Sequence, residues 1–398
     1  MQSFFEKRKE IFQKSGGLKF FLMSILISGL SYGLYKGVLD NYLAEVVGML
    51  EMNRGVTEFF RELPGVLLVF ILAAFYMFSA EAFYKIGAVI MLVGMCLQAF
   101  LPPTVILATV AICVYSLGEH IQLGMKSSLT LKYAREGRGG EALGIQSAAS
   151  QIGTLLGYFT VVLVFSLVTK NQPFKLFFLI AAVLAGASAV CTMFISGKSN
   201  TDESKRRFYF HKKYFKYYML EMFYGSRKQV FITFGPYLLV LFYKADAATI
   251  SLLFAISAIA GFIASPIVGK IIDRLGYKTV MVADTLILVI VCFFYGFAHH
   301  IFPTNVAFII CCVNYVLDSV ISLASMASNV YVQDISDNAD EVKATISTGV
   351  SINHVISIFI ALFGGWIWQT LGIELLFMIS ASLGLLNSAY AATIKKRA

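Results

Sequence analysis

The chain has 398 residues, 58% of them hydrophobic and only 14% charged. So little charge cannot clothe a soluble fold of this length. The net charge of +9 would suit a nucleic-acid binder, but the basic residues gather in the connections on one side of a series of apolar runs, which argues against that reading.

Each run is close to the roughly 20 apolar residues that cross a bilayer as a helix. A backbone in lipid has no water to bond, so the runs are expected to be helical. Twelve helices are expected, over 18–47, 56–80, 83–101, 103–132, 140–169, 174–197, 216–243, 247–268, 279–299, 303–332, 341–369 and 371–394. The first follows a basic amphipathic stretch, SFFEKRKEIFQKSGG, and is too long for the apolar core of a signal peptide. It carries Tyr32, Lys36 and Asp40 at i, i+4 and i+8, on one helical face. Helix two opens with NRGVTEFFRELPG. There Arg54, Glu58, Arg61 and Glu62 fall at helical spacing before Pro64-Gly65, which is expected to interrupt the helix. Arg54 with Glu58, or Arg61 with Asp40, would make an outer gate; a solvated helix end is the alternative. In helix four Glu119, Gln122 and Lys126 share a stripe, with His120 beside it.

After helix six comes the one long polar interruption, 198–216, read as a cytoplasmic linker between halves 1–197 and 217–398. Helix seven carries Glu221, Tyr224, Arg227 and Lys228, helix ten Asp318, and helix eleven His354 with Ser347 and Ser351. Of the 32 Lys and Arg, 23 lie in the termini and connections of one side, four on the other and five inside helices. Basic connections mark the cytoplasmic side, so both termini are expected there. The six cysteines lie in apolar runs without metal-ligand spacing, and read as small hydrophobes. No phosphate-binding loop, nucleophile–base pair or metal cluster stands out. Neither enzyme activity, cofactor nor metal is expected, nor ATP as the energy source.

The halves echo each other. YGLYKGV (32–38) matches YGSRKQV (224–230) at an offset of 192, and at the same offset Glu81 meets Asp273. YSLGEHIQL (115–123) also resembles YVLDSVISL (315–323). Duplicated six-helix bundles are a common transporter plan.

GKIIDRLGYK (269–278) resembles the cytoplasmic signature of the major facilitator superfamily, G-x-x-x-D-R-x-G-x-K. RGGEALGI (138–145) and ALFGGWIWQTLGIELLFMIS (361–380) resemble its entry to helix five and its close. The first-half copy of the signature, FSAEAFYKIG (78–87), keeps Glu81 but lacks the Asp-Arg pair. The resemblance implies an all-α membrane protein of twelve transmembrane helices, in two six-helix bundles related by a pseudo-two-fold axis. It also implies helices one, four, seven and ten around a central cavity, where the sequence does put its membrane charges.

In the signature, Gly269 would permit close backbone approach and Gly276 a tight reversal. Asp273, Arg274 and Lys278 would latch the cytoplasmic side, with Arg61 and Glu62 acting at the outer one. The expected function is secondary active transport of a small organic, anionic or amphipathic solute by alternating access. The partners are that solute, membrane lipid and protons or another coupling ion, and no nucleic acid. A monomer in a bacterial cytoplasmic membrane is expected.

Substrate would be held by Tyr32, Lys36, Lys126, Tyr224, Arg227 and Lys228. Coupling would run through Asp40, Glu119, His120, Asp318 or His354. These charges can instead neutralise one another as structural pairs. A proton-driven exporter of lipophilic or cationic compounds, and a non-transporting receptor on the same fold, are the other readings.

Overall fold

The structure, a computed structural model, describes residues 11–13, 15–74, 78–168, 172–195 and 210–394. Most of the expected linker, 198–209, and the basic residues of both termini lie outside the described residues.

Twelve long helices are described. They are α1 (Gly16–Glu45), α2 (Glu51–Ala74), α3 (Ala80–Phe100), α4 (Val105–Tyr133), α5 (Gly139–Leu167), α6 (Phe174–Met193), α7 (Phe215–Leu241), α8 (Ala247–Leu275), α9 (Tyr277–Ile301), α10 (Thr304–Ile335), α11 (Ala339–Leu371) and α12 (Ile373–Ala392). A 3-10 turn at Ser322–Ser325 interrupts α10. Ten of the helices are long and apolar enough to cross a membrane. The two outside that set, α2 and α7, carry the densest runs of charge.

Two boundaries differ informatively from the expected ones. α2 runs straight through Pro64. Proline removes one helical hydrogen bond, and here the helix continues beyond it. α8 extends to Leu275, so most of the signature is helical. Gly276, at φ +81°, is then the single residue between α8 and α9, as the expected tight reversal requires.

The chain divides into two compact units. One holds residues up to Val47 and Leu67–Lys205, the other Gly48–Val66 and residues from Arg206 on. In the first unit α1 packs on α5 and α6, and α3 on α4 and α6. In the second α7 packs on α11 and α12, and α9 on α10 and α12. The pairings repeat six helices on, as a duplicated plan predicts.

The α1–α5 contact is made by glycines. Gly29 and Gly33 face Gly153 and Gly157, and a Cβ at Gly157 would lie 2.7 Å from the Gly33 Cα. Small residues four apart let membrane helices approach backbone to backbone. With this side of α1 packed, residues 33–35 and 37–43 are buried, while Tyr32 and Lys36 stay half-buried on one face.

Candidate functional site

In the first unit the Lys36 Nζ lies 2.7 Å from the Asp40 Oδ2, and the carboxylate is buried. On α4, Glu119 is within electrostatic reach of Tyr115 and Lys126. His120 is buried, with its Nδ1 2.8 Å from the Ser116 carbonyl. A carbonyl only accepts, so Nδ1 carries the proton and donates. Gln122 leaves the expected stripe and donates to the Tyr84 carbonyl on α3, at 3.2 Å.

In the second unit α7 supplies the counterpart face. Lys228 is half-buried between buried neighbours, as Tyr32 and Lys36 are, and Tyr224 is half-buried at the end of a less buried stretch, 222–224. The Tyr224 hydroxyl donates to the Ser322 carbonyl at 2.5 Å, in the 3-10 turn of α10. That turn is where the carbonyls of α10 leave regular helical bonding.

Arg227 departs from its expected role. It is one of the largest fully buried side chains, its Nη1 is 3.0 Å from the Asp284 Oδ2 on α9, and its guanidinium lies 5.0 Å from the Tyr224 ring centroid. One residue along a helix is a turn of about 100°. Arg227 therefore points into the bundle while Lys228 does not.

Lys228 has no hydrogen-bond or ion-pair partner among the described residues. Two buried carboxylates lie within its electrostatic reach, Glu221 and Asp318. Glu221 accepts from the Ser328 hydroxyl at 2.7 Å. The Asp318 carboxylate has no hydrogen-bond partner among the described residues. A cavity of about 20 Å³ beside this face is lined by Tyr224, Asp284, Ser325, Ser328 and Asn387, among others. It has room for about one water molecule.

The first part of α2, as far as Val66, belongs to the same unit and forms a charge network. Glu58 is fully buried between Arg54 at 2.8 Å and Arg61 at 2.6 Å, and accepts from Gln229 of α7 at 3.0 Å. Arg54–Glu58 is one of the two pairs expected. Arg61 also bonds Glu62, whose Oε2 lies 2.7 Å from the His354 Nδ1 on α11. Gly55 packs on α11, where its Cβ would lie 3.0 Å from the Gly365 Cα. The sequence marked these charges but not their partners on α7 and α11.

At the signature, Asp273 and Arg274 are exposed. Lys278 donates to the Ile394 carbonyl at 2.9 Å, tying the start of α9 to the end of α12. The close approach expected at Gly269 is not made, since no atom lies within 4 Å of where its Cβ would stand.

Residues 218–397, nearly all of the second unit's α7–α12, match the family model of the Major Facilitator Superfamily. In its second half the chain is thus similar to that superfamily. Its fold is shared over nearly the whole length with solved structures. A mutant of the nucleoside transporter NupG superposes with a TM-score of 0.74 at 18% identity, covering 95% of this chain and 100% of that one. A POT family transporter in complex with 5-aminolevulinic acid gives 0.74 at 12%, covering 96% and 97%. A D-xylose-proton symporter gives 0.70 at 12%, covering 94% and 96%. No curated protein sequence matches the chain. With ten helices apolar and long enough to cross a bilayer, the protein is an integral multi-pass membrane protein.

Proposed function

We propose that the protein is a secondary active transporter that moves a small organic solute bearing an anionic group, by alternating access and with protons as the coupling ion. The observation that carries the anionic class is Lys228. It is half-buried, sits in a buried stretch of helix, and has no ion-pair partner among the described residues. An ionisable group deep in a membrane helix is expensive and marks a pathway. An ammonium in a low-dielectric surround attracts anions.

Tyr224 and Lys228 on α7, with Tyr32 and Lys36 on α1, are the binding groups in this reading, and Lys126 is an auxiliary cation. Asp318 is the coupling acid. It is buried within reach of Lys228, and an anion held by that lysine disfavours a second negative charge on Asp318. Anion and proton are then taken up together. Glu119, His120, Asp40 and His354 are secondary candidates for the same role. Arg61 and Glu62 are assigned to an outer gate, and Gly269, Asp273, Arg274, Gly276 and Lys278 to the cytoplasmic one.

The test is a thermal-shift screen of the purified full-length protein against anionic metabolites, followed by uptake into proteoliposomes. Lys228→Gln abolishes both stabilisation and uptake, and Lys228→Arg keeps part of each. Unchanged uptake in Lys228→Gln removes the anion site. A second reading is supported by the charge around α7, where the cations facing Glu221, Asp284 and Asp318 among the described residues are Arg227 and Lys228. Binding of lipophilic cations that survives Lys228→Gln and is lost in Glu221→Gln or Asp318→Asn would establish it.

A further inference from the structure

We propose that His299, His300 and Glu374 form a binding site for a divalent transition metal of the zinc class, at the end of the second unit where α9 finishes and α12 begins. The site is separate from the α7 face and uses none of its residues.

The ligand atoms already converge. The His300 Nε2 lies 2.7 Å and the His299 Nε2 3.2 Å from the same oxygen, Oε1 of Glu374. All three donor atoms lie within 4.8 Å of one another. Neighbouring residues on a helix point about 100° apart, so two adjacent imidazoles do not meet by default. Here the rings are 3.9 Å apart at their centroids, in the last turn of α9. The His299 ring also packs on Phe242, at 5.0 Å.

Glu374 is held from both sides. A Cβ on Gly372, at φ +98°, would lie 2.6 Å from its Oε2, so a side chain there would displace the carboxylate. One turn before His300, a Cβ on Gly296 would lie 3.3 Å from the Glu374 Cα. The two helices therefore meet backbone to backbone beside the donors, which fixes them on rigid elements.

The spacing fits the ion. Zinc bonds imidazole and carboxylate at about 2.0–2.2 Å in tetrahedral geometry, which separates its ligands by about 3.3 Å. Of the three separations, one is there already, one must open by about half an ångström, and the one between the two imidazole nitrogens has to reach the same value from within 4.8 Å. Binding moves each imidazole proton from Nε2 to Nδ1, so that the Nε2 lone pairs face the metal. Two imidazoles and one carboxylate suit zinc, copper or nickel, whereas calcium and magnesium prefer all-oxygen shells. The remaining positions go to water, and the ion has a way in, because the His300 side chain is 56% exposed and Glu374 28%. A bound ion cross-links the end of α9 to the start of α12.

The test uses the full-length protein without a histidine tag, titrated with Zn²⁺ and with Ca²⁺ as the control, followed by calorimetry and thermal unfolding. Saturable one-to-one Zn²⁺ binding is expected, with no response to Ca²⁺. Losing an outer-shell partner weakens metal sites about 10–100-fold, and losing a ligand weakens them at least as much. His300→Ala and Glu374→Gln should therefore each fall by that factor or more. Co²⁺ in place of zinc should give the intense visible bands of a four-coordinate ion. The absence of saturable Zn²⁺ binding overturns the proposal, as does binding that is unchanged in His300→Ala. That residue is exposed, so the variant is expected to fold even if His299→Ala does not.

Discussion

Asp284→Asn is the sharpest test of how the second unit is held together. The substitution keeps the shape of the side chain and removes its charge. Arg227 and Asp284 are 1% and 8% exposed and 3.0 Å apart, so little water screens them. Breaking a buried pair by removing one partner costs about 3–5 kcal/mol, because the other charge is left in a medium that cannot solvate it. Asp318 is within electrostatic reach of Arg227 and offsets part of the loss, which puts the expectation near about 3 kcal/mol. For a unit of this size each kcal/mol moves Tm by about 2–4 °C, so the variant should unfold about 6–12 °C lower. The assay is thermal unfolding in detergent of wild type, Asp284→Asn and the double variant Arg227→Met/Asp284→Leu. Replacing both partners by apolar groups of similar volume is often neutral or stabilising, so the double variant should recover most of the loss. A double variant as unstable as the single one would show that the charge is not what the pair contributes, and would refute the reasoning. If the double variant still transports, Arg227 is structural.

Gly157→Ala should destabilise the first unit by about 1–3 kcal/mol, the usual cost of overpacking, since its Cβ would meet the Gly33 backbone. Gly261→Ala, with no atom within 4 Å of its Cβ, should leave Tm unchanged. Lys132→Ala breaks the bridge to Glu81, but the lysine side chain is 43% exposed, so unfolding should shift by less than about 1 kcal/mol. The clasp before α7 predicts an acid-side fall in stability. The Tyr214 hydroxyl donates to Glu341 at 2.6 Å and holds that carboxyl below its ordinary value, while Lys213, bonded to Asp337 at 2.7 Å, sits above its own. A lowered carboxyl adds stability above its ordinary range and loses it as pH falls through the folded value. The raised lysine adds stability below its ordinary range and loses it as pH rises through the folded value. Tyr214→Phe should flatten the acid limb of a Tm–pH profile and leave the alkaline limb in place.

The helices were legible because lipid leaves the backbone no other choice, and apolar length alone marks ten of the twelve. The echo between YGLYKGV and YGSRKQV was legible too, and it put Lys36 and Lys228 at matching half-buried positions of α1 and α7. What periodicity could not supply was the occupant of each direction around a helix. It separates Arg227 from Lys228 by an angle, but Asp284, which decides their different fates, is 57 residues away on another helix. It groups Gln122 with Glu119, yet the Tyr84 carbonyl draws the amide toward α3. It places four charges at the start of α2, but Gln229 and His354, which bind them, belong to α7 and α11. The glycine seam between α1 and α5 was in the sequence as two four-residue repeats, Gly29 with Gly33 and Gly153 with Gly157, and it determines which face of α1 remains for Tyr32 and Lys36. The duplication preserved the lysine but not its neutraliser. Asp40 pairs with Lys36, whereas the same position on α7 is Ile232, an exposed apolar residue that cannot compensate a charge. The two lysines are therefore equivalent in place and unequal in electrostatics, and an anionic solute should depend on Lys228 more than on Lys36.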